Sequence, residues 1–266
     1  MLLSVIIPCY NEARTIRDVL RLVREVDLDK EIIVVDDHSS DNSYAILQAE
    51  AEHDPRLRVI RHPRNVGKGA AVRSALRVAR GEIVVIQDAD LEYDPQDYYE
   101  LARPIVEGRV SVVFGSRFLG RHTGMYFWNA IGNKGLTFIT NFLFNAWISD
   151  METCYKMMRT DIMRSLELSS RDFRIEEEIA AKVLRQGNRI FEVPISYIGR
   201  TYEEGKKIRK IDGLKAIGTL LRCRVWRGAM PPLTPIPPTV ARTALEAISR
   251  SSSRRHISRI LLESQS

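Results

Sequence analysis

Over the first 115 residues, short apolar runs alternate with stretches in which apolar positions recur every three or four residues. The runs at 3–7, 31–35, 57–61, 83–87 and 110–114 predict buried strands, and the stretches 13–26, 41–52, 67–80 and 95–107 predict helices, the second behind Asp41 as an N-cap. Strands separated by helical crossovers give an α/β fold with a mostly parallel sheet flanked by helices. Such sheets bind ligands beyond the carboxyl ends of their strands, so function is expected there.

Residues 120–227 read differently. The stretch 124–148 predicts a long amphipathic helix or helix pair bearing Tyr126, Phe127, Trp128, Phe138, Phe142, Phe144 and Trp147. Two fates are open to these aromatics, burial in the core or contact with a membrane surface. Residues 175–186 predict a helix, 189–197 a strand and 213–226 a basic helix. After residue 227 come Pro231, Pro232, Pro235, Pro237 and Pro238 and then a Ser/Arg stretch, which predict a flexible tail holding at most one short helix near 240–249. The expected organisation is one domain over 1–227, with halves 1–119 and 120–227, followed by a Pro/Ser/Arg-rich tail over 228–266.

Composition narrows the class. With 266 residues, 44% hydrophobic and 28% charged, the chain is neither collagen-like, disordered nor a disulfide scaffold. Cys9, Cys154 and Cys223 are far apart and lack zinc-ligand spacing, which favours a reducing, cytoplasmic setting. The apolar start is too short for a secretory signal. A spanning helix needs about 18 apolar residues, and the nearest stretch is interrupted by Asn129, Asn133, Lys134, Asn141 and Asn145. The net charge of +6 is uneven, with 26 basic and 29 acidic residues in 1–199 but 14 basic and 5 acidic in 200–266. Charge gathered at one end suits a phosphate-rich substrate or an anionic membrane surface better than nucleic acid.

The expected strand ends carry the candidate chemistry: Pro8-Cys9-Tyr10-Asn11-Glu12, Asp36-Asp37-His38-Ser39-Ser40-Asp41, Asn65-Val66-Gly67-Lys68-Gly69, Asp88-Ala89-Asp90 and Gly115-Ser116-Arg117. Asp88 and Asp90 flank one small residue, so both carboxylates can face one hard divalent cation, Mg²⁺ or Mn²⁺, with Glu92 as a third oxygen. No GxGxxG follows the first strand, and Gly69 stands where a phosphate-binding Walker loop has Ser or Thr. A nucleotide held through a metal remains.

Together these motifs resemble the family 2 glycosyltransferases, and within them the dolichyl-phosphate mannose synthase and polyprenyl-phosphate glycosyltransferase branch, over about residues 2–226. The resemblance implies a GT-A fold, a nucleotide-diphospho-sugar donor linked to GDP or UDP, a divalent metal and inversion at the sugar carbon. It places Pro8, Tyr10, Asn11, Glu12, Asp37, Lys68, Asp88, Ala89 and Asp90 around the donor, with Asp88, Asp90 and Glu92 at the metal. Helix capping is the plain alternative for Asn11 and Glu12. Arg117, Asp150, Glu152, Arg200 and Lys206 form the catalytic remainder, and the run from Arg200 to Lys207 matches a basic loop that closes over the diphosphate.

The acceptor divides the expectations. A polyprenyl phosphate attacks with an already ionised oxygen and requires only alignment and charge compensation. A glycan or small-molecule hydroxyl needs a base, which Asp150 or Glu152 would supply. The third expectation is an inactive scaffold at a membrane surface. The first places an enzyme at the cytoplasmic membrane face, peripheral and without a spanning segment.

Overall fold

The computed structural model describes residues 1–200 and 210–263. The first half runs β1 (Leu3–Cys9), α1 (Ile16–Glu25), β2 (Lys30–Asp36), α2 (Ser43–His53), β3 (Leu57–Arg61), α3 (Lys68–Leu76), β4 (Ile83–Ile86), a 3₁₀ turn (Pro95–Asp97) leading into α4 (Tyr98–Val106), and β5 (Val112–Ser116). The second half adds β6 (His122–Thr123), α5 (Phe127–Phe144), β7 (Lys156–Arg159), α6 (Thr160–Ser165), α7 (Ile175–Arg185), β8 (Ile190–Pro194), β9 (Tyr197–Ile198), α8 (Lys210–Arg224) and α9 (Pro238–Glu263).

Seven strands form one sheet in the order β3-β2-β1-β4-β7-β5-β8, parallel except for β7, which pairs antiparallel with both β4 and β5. Every residue of β2 and β4 is buried, which is why their Val/Ile runs are nearly unbroken: helices cover both sheet faces and leave no solvent side to mark. The sheet with its flanking helices is the mostly parallel α/β fold expected from the alternating pattern.

Three local expectations change. Residues 189–197 do not form one strand; β8 ends at Pro194, and β9 pairs instead with β6. Proline donates no ladder hydrogen bond, and Ser196 N turns away to Asp97 Oδ2 at 2.7 Å. The N-cap of α2 is Asn42 rather than Asp41, although Asp41 Oδ1 still accepts from Ser43 N at 2.9 Å. The tail expected to be flexible contains α9, far longer than a short helix near 240–249, and it packs on α4 with Ala244, Ala247 and Ile248 buried. Prolines and serines masked an apolar stripe whose cover, α4, lies more than a hundred residues earlier in the chain.

β7 was absent from the sequence reading. Its Lys-Met-Met-Arg lacks β-branched residues, yet it is buried throughout and divides the donor half of the sheet from β5 and β8.

Candidate active site

The strand ends converge along one edge of the sheet, at the carboxyl ends of β1, β2, β4 and β5. Three non-glycine residues adopt left-handed backbone there, Asn11 (φ 56°), His38 (φ 62°) and Leu91 (φ 63°), one after each of β1, β2 and the Asp88–Asp90 turn. This conformation costs free energy and persists only where surrounding contacts hold it, as they commonly do at binding sites. The Asn11 side-chain oxygen accepts from Ser40 N at 2.8 Å and its own N–H donates to Ser39 Oγ at 3.0 Å, tying the loops after β1 and β2 together. Neither Asn11 nor Glu12 caps α1 with its side chain; the N-cap is Thr15. Pro8 is half-buried and Tyr10 exposed at the rim.

Asp37, expected around the donor, is buried. Its carboxylate accepts from Gly67 N (2.7 Å) and Val66 N (3.0 Å) and meets His62 Nδ1 at 2.7 Å, so it holds the Asn65–Gly69 loop against β2. The glycines of that loop serve packing as well: a Cβ on Gly67 would lie 2.3 Å from Arg171 O, and one on Gly69 2.5 Å from Ser170 O. Gly67 also has φ 96°, which side-chain-bearing residues rarely adopt.

Beyond the loop, Lys68 Nζ sits 2.6 Å from Asp88 Oδ1 and 2.9 Å from Glu176 Oε1, while Lys156, buried in β7, meets Glu176 Oε2 at 2.6 Å. A line of alternating charge, Lys156–Glu176–Lys68–Asp88, therefore runs from the sheet interior to the acidic turn. Gln87 supports that turn from below, accepting from Tyr98 Oη (2.6 Å) and Tyr155 Oη (2.7 Å) and donating to Asp88 O (3.0 Å). Ala89 is buried, and its carbonyl accepts from Thr15 Oγ1 at 2.7 Å.

Asp90 carries the sharpest electrostatic signal on this side. Burial, then the charges of Asp88 and Glu92, push its carboxyl up to about 7. The cations nearby, Lys68 and Arg200, do not offset this crowding, and an all-oxygen donor pair fits a hard divalent ion. Glu92, expected as a third metal oxygen, is engaged elsewhere: Oε2 accepts from Tyr197 Oη (3.0 Å) and Oε1 from Arg200 N (2.8 Å). Among the described residues no group of three ligating side chains forms, so the acidic turn offers a carboxylate pair, with Glu92 as the anchor of the chain entering residue 200. Arg200 reaches back across the site, donating from Nε to Asp90 O (2.7 Å) and from both Nη atoms to Glu12 Oε2 (3.1 Å). Lys206 lies outside the described residues.

Across the cleft, Arg117 and Asp150 form a closed pair. Nε donates to Oδ2 and Nη2 to Oδ1, both at 2.8 Å, while Arg117 N adds a bond to Oδ2 at 3.0 Å. Both side chains are buried, so Asp150 spends its two oxygens on one guanidinium and one backbone N–H. Glu192 secures the same segment, accepting from Ser149 N (2.8 Å) and Asp150 N (3.2 Å).

Glu152 differs from Asp150. Its Oε1 is buried without a hydrogen-bond partner, as is Glu177 Oε2. Burial, with a further push from Glu176 against the pull of Lys156, raises the Glu152 carboxyl to about 7. Burial and the Glu152 charge raise Glu177 to about 9. The sequence reading missed Gln87, Glu176, Glu177 and Lys156. The triple acid Glu176-Glu177-Glu178 was visible at the start of a predicted helix, where carboxylates commonly sit exposed; nothing local told that they are buried.

Comparison with known proteins agrees with this geometry. Residues 4–166 match the family described as Glycosyl transferase family 2. The UDP-N-acetylglucosamine–dolichyl-phosphate N-acetylglucosaminyltransferase of Methanococcus voltae is 28% identical over 246 residues, spanning 85% of this chain and 97% of that protein. The dolichol-phosphate mannosyltransferase of Pyrococcus furiosus is 28% identical over 212 residues, 77% of this chain and 59% of its own length. Glucosyl-3-phosphoglycerate synthase from Mycobacterium tuberculosis, solved with Mn²⁺, uridine-diphosphate and phosphoglyceric acid, shares the fold with a TM-score of 0.65 at 21% identity, covering 84% of this chain and 78% of that one. The family match spans more than half the chain and includes the loops after β1 and β2, the Asp88–Asp90 turn and the Arg117–Asp150 pair, so this chain belongs to glycosyl transferase family 2 and is a glycosyltransferase of GT-A fold.

Proposed function

We propose that the enzyme transfers a hexose from a UDP- or GDP-linked donor to a polyprenyl phosphate, with inversion at the sugar carbon and with a divalent metal. The observation that carries this reading is the saturation of Asp150 by Arg117. A carboxylate whose two oxygens are bound to a buried guanidinium makes a poor proton acceptor, whereas a phosphate nucleophile needs none. The two relatives named for dolichyl or dolichol phosphate support the same acceptor class.

In this reading Pro8 and Tyr10 wall the base, and Glu12 and the Asp37 loop border the nucleoside. Asp88 and Asp90 hold the metal, Mg²⁺ or Mn²⁺, which when bound supplies charge neutralisation to the leaving diphosphate. Lys68, now on Asp88, and Arg200, now on Glu12, are the cations within reach of an incoming diphosphate. Their present carboxylate partners keep both side chains oriented before the donor arrives, a form of preorganisation. Lys206, in the basic run that follows Arg200 in the sequence, would add to this charge. Arg117 borders the acceptor side, and its pair with Asp150 fixes the guanidinium there.

Glu152 supports a second reading. An orphaned oxygen with an affinity for protons near neutrality is what a hydroxyl acceptor would need as its base. Turnover with UDP- and GDP-sugars against a detergent-dispersed prenyl phosphate decides between them: product with Glu152→Gln at near wild-type rate upholds the phosphate acceptor, and product only from hydroxyl acceptors, abolished by Glu152→Gln, overturns it. Failure to release nucleoside diphosphate from any donor would point instead to a scaffold at a membrane surface.

A further inference from the structure

α5 and α8 pack against each other, and each leaves an apolar stripe on the outside. On α5 the outward aromatics Trp128, Phe138 and Phe142 are 78%, 71% and 79% exposed, and Trp147 just beyond the helix is 95% exposed. Gly132 and Gly135 occur among them, with open space where a side chain would stand. On α8, Leu214 and Leu221 are 74% and 54% exposed, and Val225 just beyond the helix is 76% exposed. Of the two fates open to the aromatic stretch, burial in the core does not hold for these side chains; the helix buries its threonines instead, Thr137 and Thr140.

That inward side touches the acceptor segment. Thr137 Oγ1 accepts from Met151 N at 3.1 Å, and the Asn141 amide exchanges two bonds with the Ile148 backbone, at 2.8 and 3.0 Å. One helix thus braces the residues on both sides of Asp150 and turns its aromatic rings the opposite way.

Charge on the two helices is mostly of one sign. Residues 124–149 hold a single charged residue, Lys134, and residues 210–227 hold Lys210, Lys215, Arg222, Arg224 and Arg227 against one acid, Asp212. A helix face turned to water ordinarily mixes both signs, whereas aromatic rings bordered by cations suit the boundary between the acyl and headgroup layers of an anionic bilayer. A second copy of the chain suits this face less well, because a two-fold interface would bring these cations against themselves. Among the described residues no helix is long and apolar enough to cross a membrane, so contact would be along the surface.

We propose that the α5–α8 face docks on bilayers containing anionic phospholipid and so holds the helix that braces residues 148–151 at the surface in which the acceptor is embedded; the second clause rests on the polyprenyl-phosphate reading. The test uses the full chain and co-sedimentation with vesicles of phosphatidylcholine alone or mixed in equal parts with phosphatidylglycerol. Two variants accompany it: Trp128→Ser with Phe138→Ser and Phe142→Ser, and Lys215→Glu with Arg222→Glu and Arg224→Glu. All six side chains are exposed, and unchanged melting curves confirm that the fold is retained. The expected result is binding at least about tenfold tighter to the mixed vesicles, a loss of about tenfold or more in each variant, and weakening in high salt. Absence of wild-type binding, undiminished binding by the serine variant, or a wild-type dimer that the serine changes dissolve would overturn docking. Turnover of a short, water-soluble prenyl phosphate without vesicles separates the two claims. If it persists in a protein that ignores vesicles, docking fails and the acceptor reading stands; vesicle binding with no such turnover upholds docking and sinks the acceptor reading.

Discussion

The cleft has an acidic cluster on each side, and the two are neutralised in opposite ways. On the donor side, Asp88 and Glu12 are met by single cations that arrive from distant segments, Lys68 and Arg200, and Asp90 is left crowded. On the acceptor side, Asp150 is locked to Arg117 by paired bonds inside the protein, while Glu152 and Glu177 keep buried oxygens with no partner. The first arrangement can be exchanged in the proposed reading: the Asp88 and Glu12 side chains keep 23% and 13% exposure, against none for Asp150, so a metal and a diphosphate could reach them and redistribute the cations. The second is fixed, because separating a buried ion pair strands a charge at a cost of several kcal/mol.

Five variants sharpen that contrast. The largest effect is expected from Asp88→Asn with Asp90→Asn, a loss of at least about a thousandfold in metal-dependent turnover, equivalent to ~4 kcal/mol of barrier, with melting temperature little changed. Isothermal titration with Mn²⁺ should show the accompanying loss of metal binding, and retained turnover would remove the donor-side assignment.

Asp150→Asn comes next. It should destabilise the fold by about 3 kcal/mol, read by urea unfolding, since the Arg117 guanidinium stays buried without its counter-charge. If Asp150→Asn instead leaves stability intact and removes only activity, the pair is not the fixed element described above.

Smaller and dependent on pH is Glu177→Gln. The Glu177 carboxyl titrates at about 9 in the fold but near its ordinary value of 4.5 when unfolded, so the unfolded chain binds fewer protons between those values and stability falls as pH rises through that range. Removing the acid should change stability little at pH ~5 and raise it progressively as pH increases towards ~8. Glu178 runs the other way. Despite burial, bonds from Lys182 and Ser170 lower its carboxyl to about 2, so its contribution is complete above about 4.5 and is lost as pH falls through about 2. Thermal melts of Glu177→Gln and Glu178→Gln across pH should therefore diverge in opposite directions. The smallest effect is expected for Glu152→Gln acting on a prenyl phosphate, within about threefold of wild type.

Much of this was legible in the chain. Hydrophobic periodicity in residues 1–115 reports directly on a sheet covered on both faces, and polar residues directly after buried strands stand out because nothing but a ligand or a loop calls for them there. Asp88-Ala89-Asp90 and Arg117 were legible for that reason. Glu92 was legible as an acid beside the turn but not as the anchor of Tyr197 and Arg200, since those contacts join residues more than a hundred positions apart. α9 was hidden by composition, because serines, arginines and prolines say little about a stripe as narrow as Ala244, Ala247 and Ile248. The aromatics of α5 were plain to see, but whether such a stripe faces inward is decided by which neighbours exist to cover it.

The sequence by itself determined the α/β alternation, the edge of the sheet that bears the site and the acids and bases available there, because these follow from periodicity and residue chemistry over short spans. Only the tertiary structure decided which charges pair. Asp150 is spent on Arg117 while Glu152 is not, Lys68 bridges Asp88 and Glu176, and Trp128 and Phe138 look outward. The physical reason is that burial and Coulomb energy depend on distances through space, and β7 and α7 bring together groups that no local pattern relates.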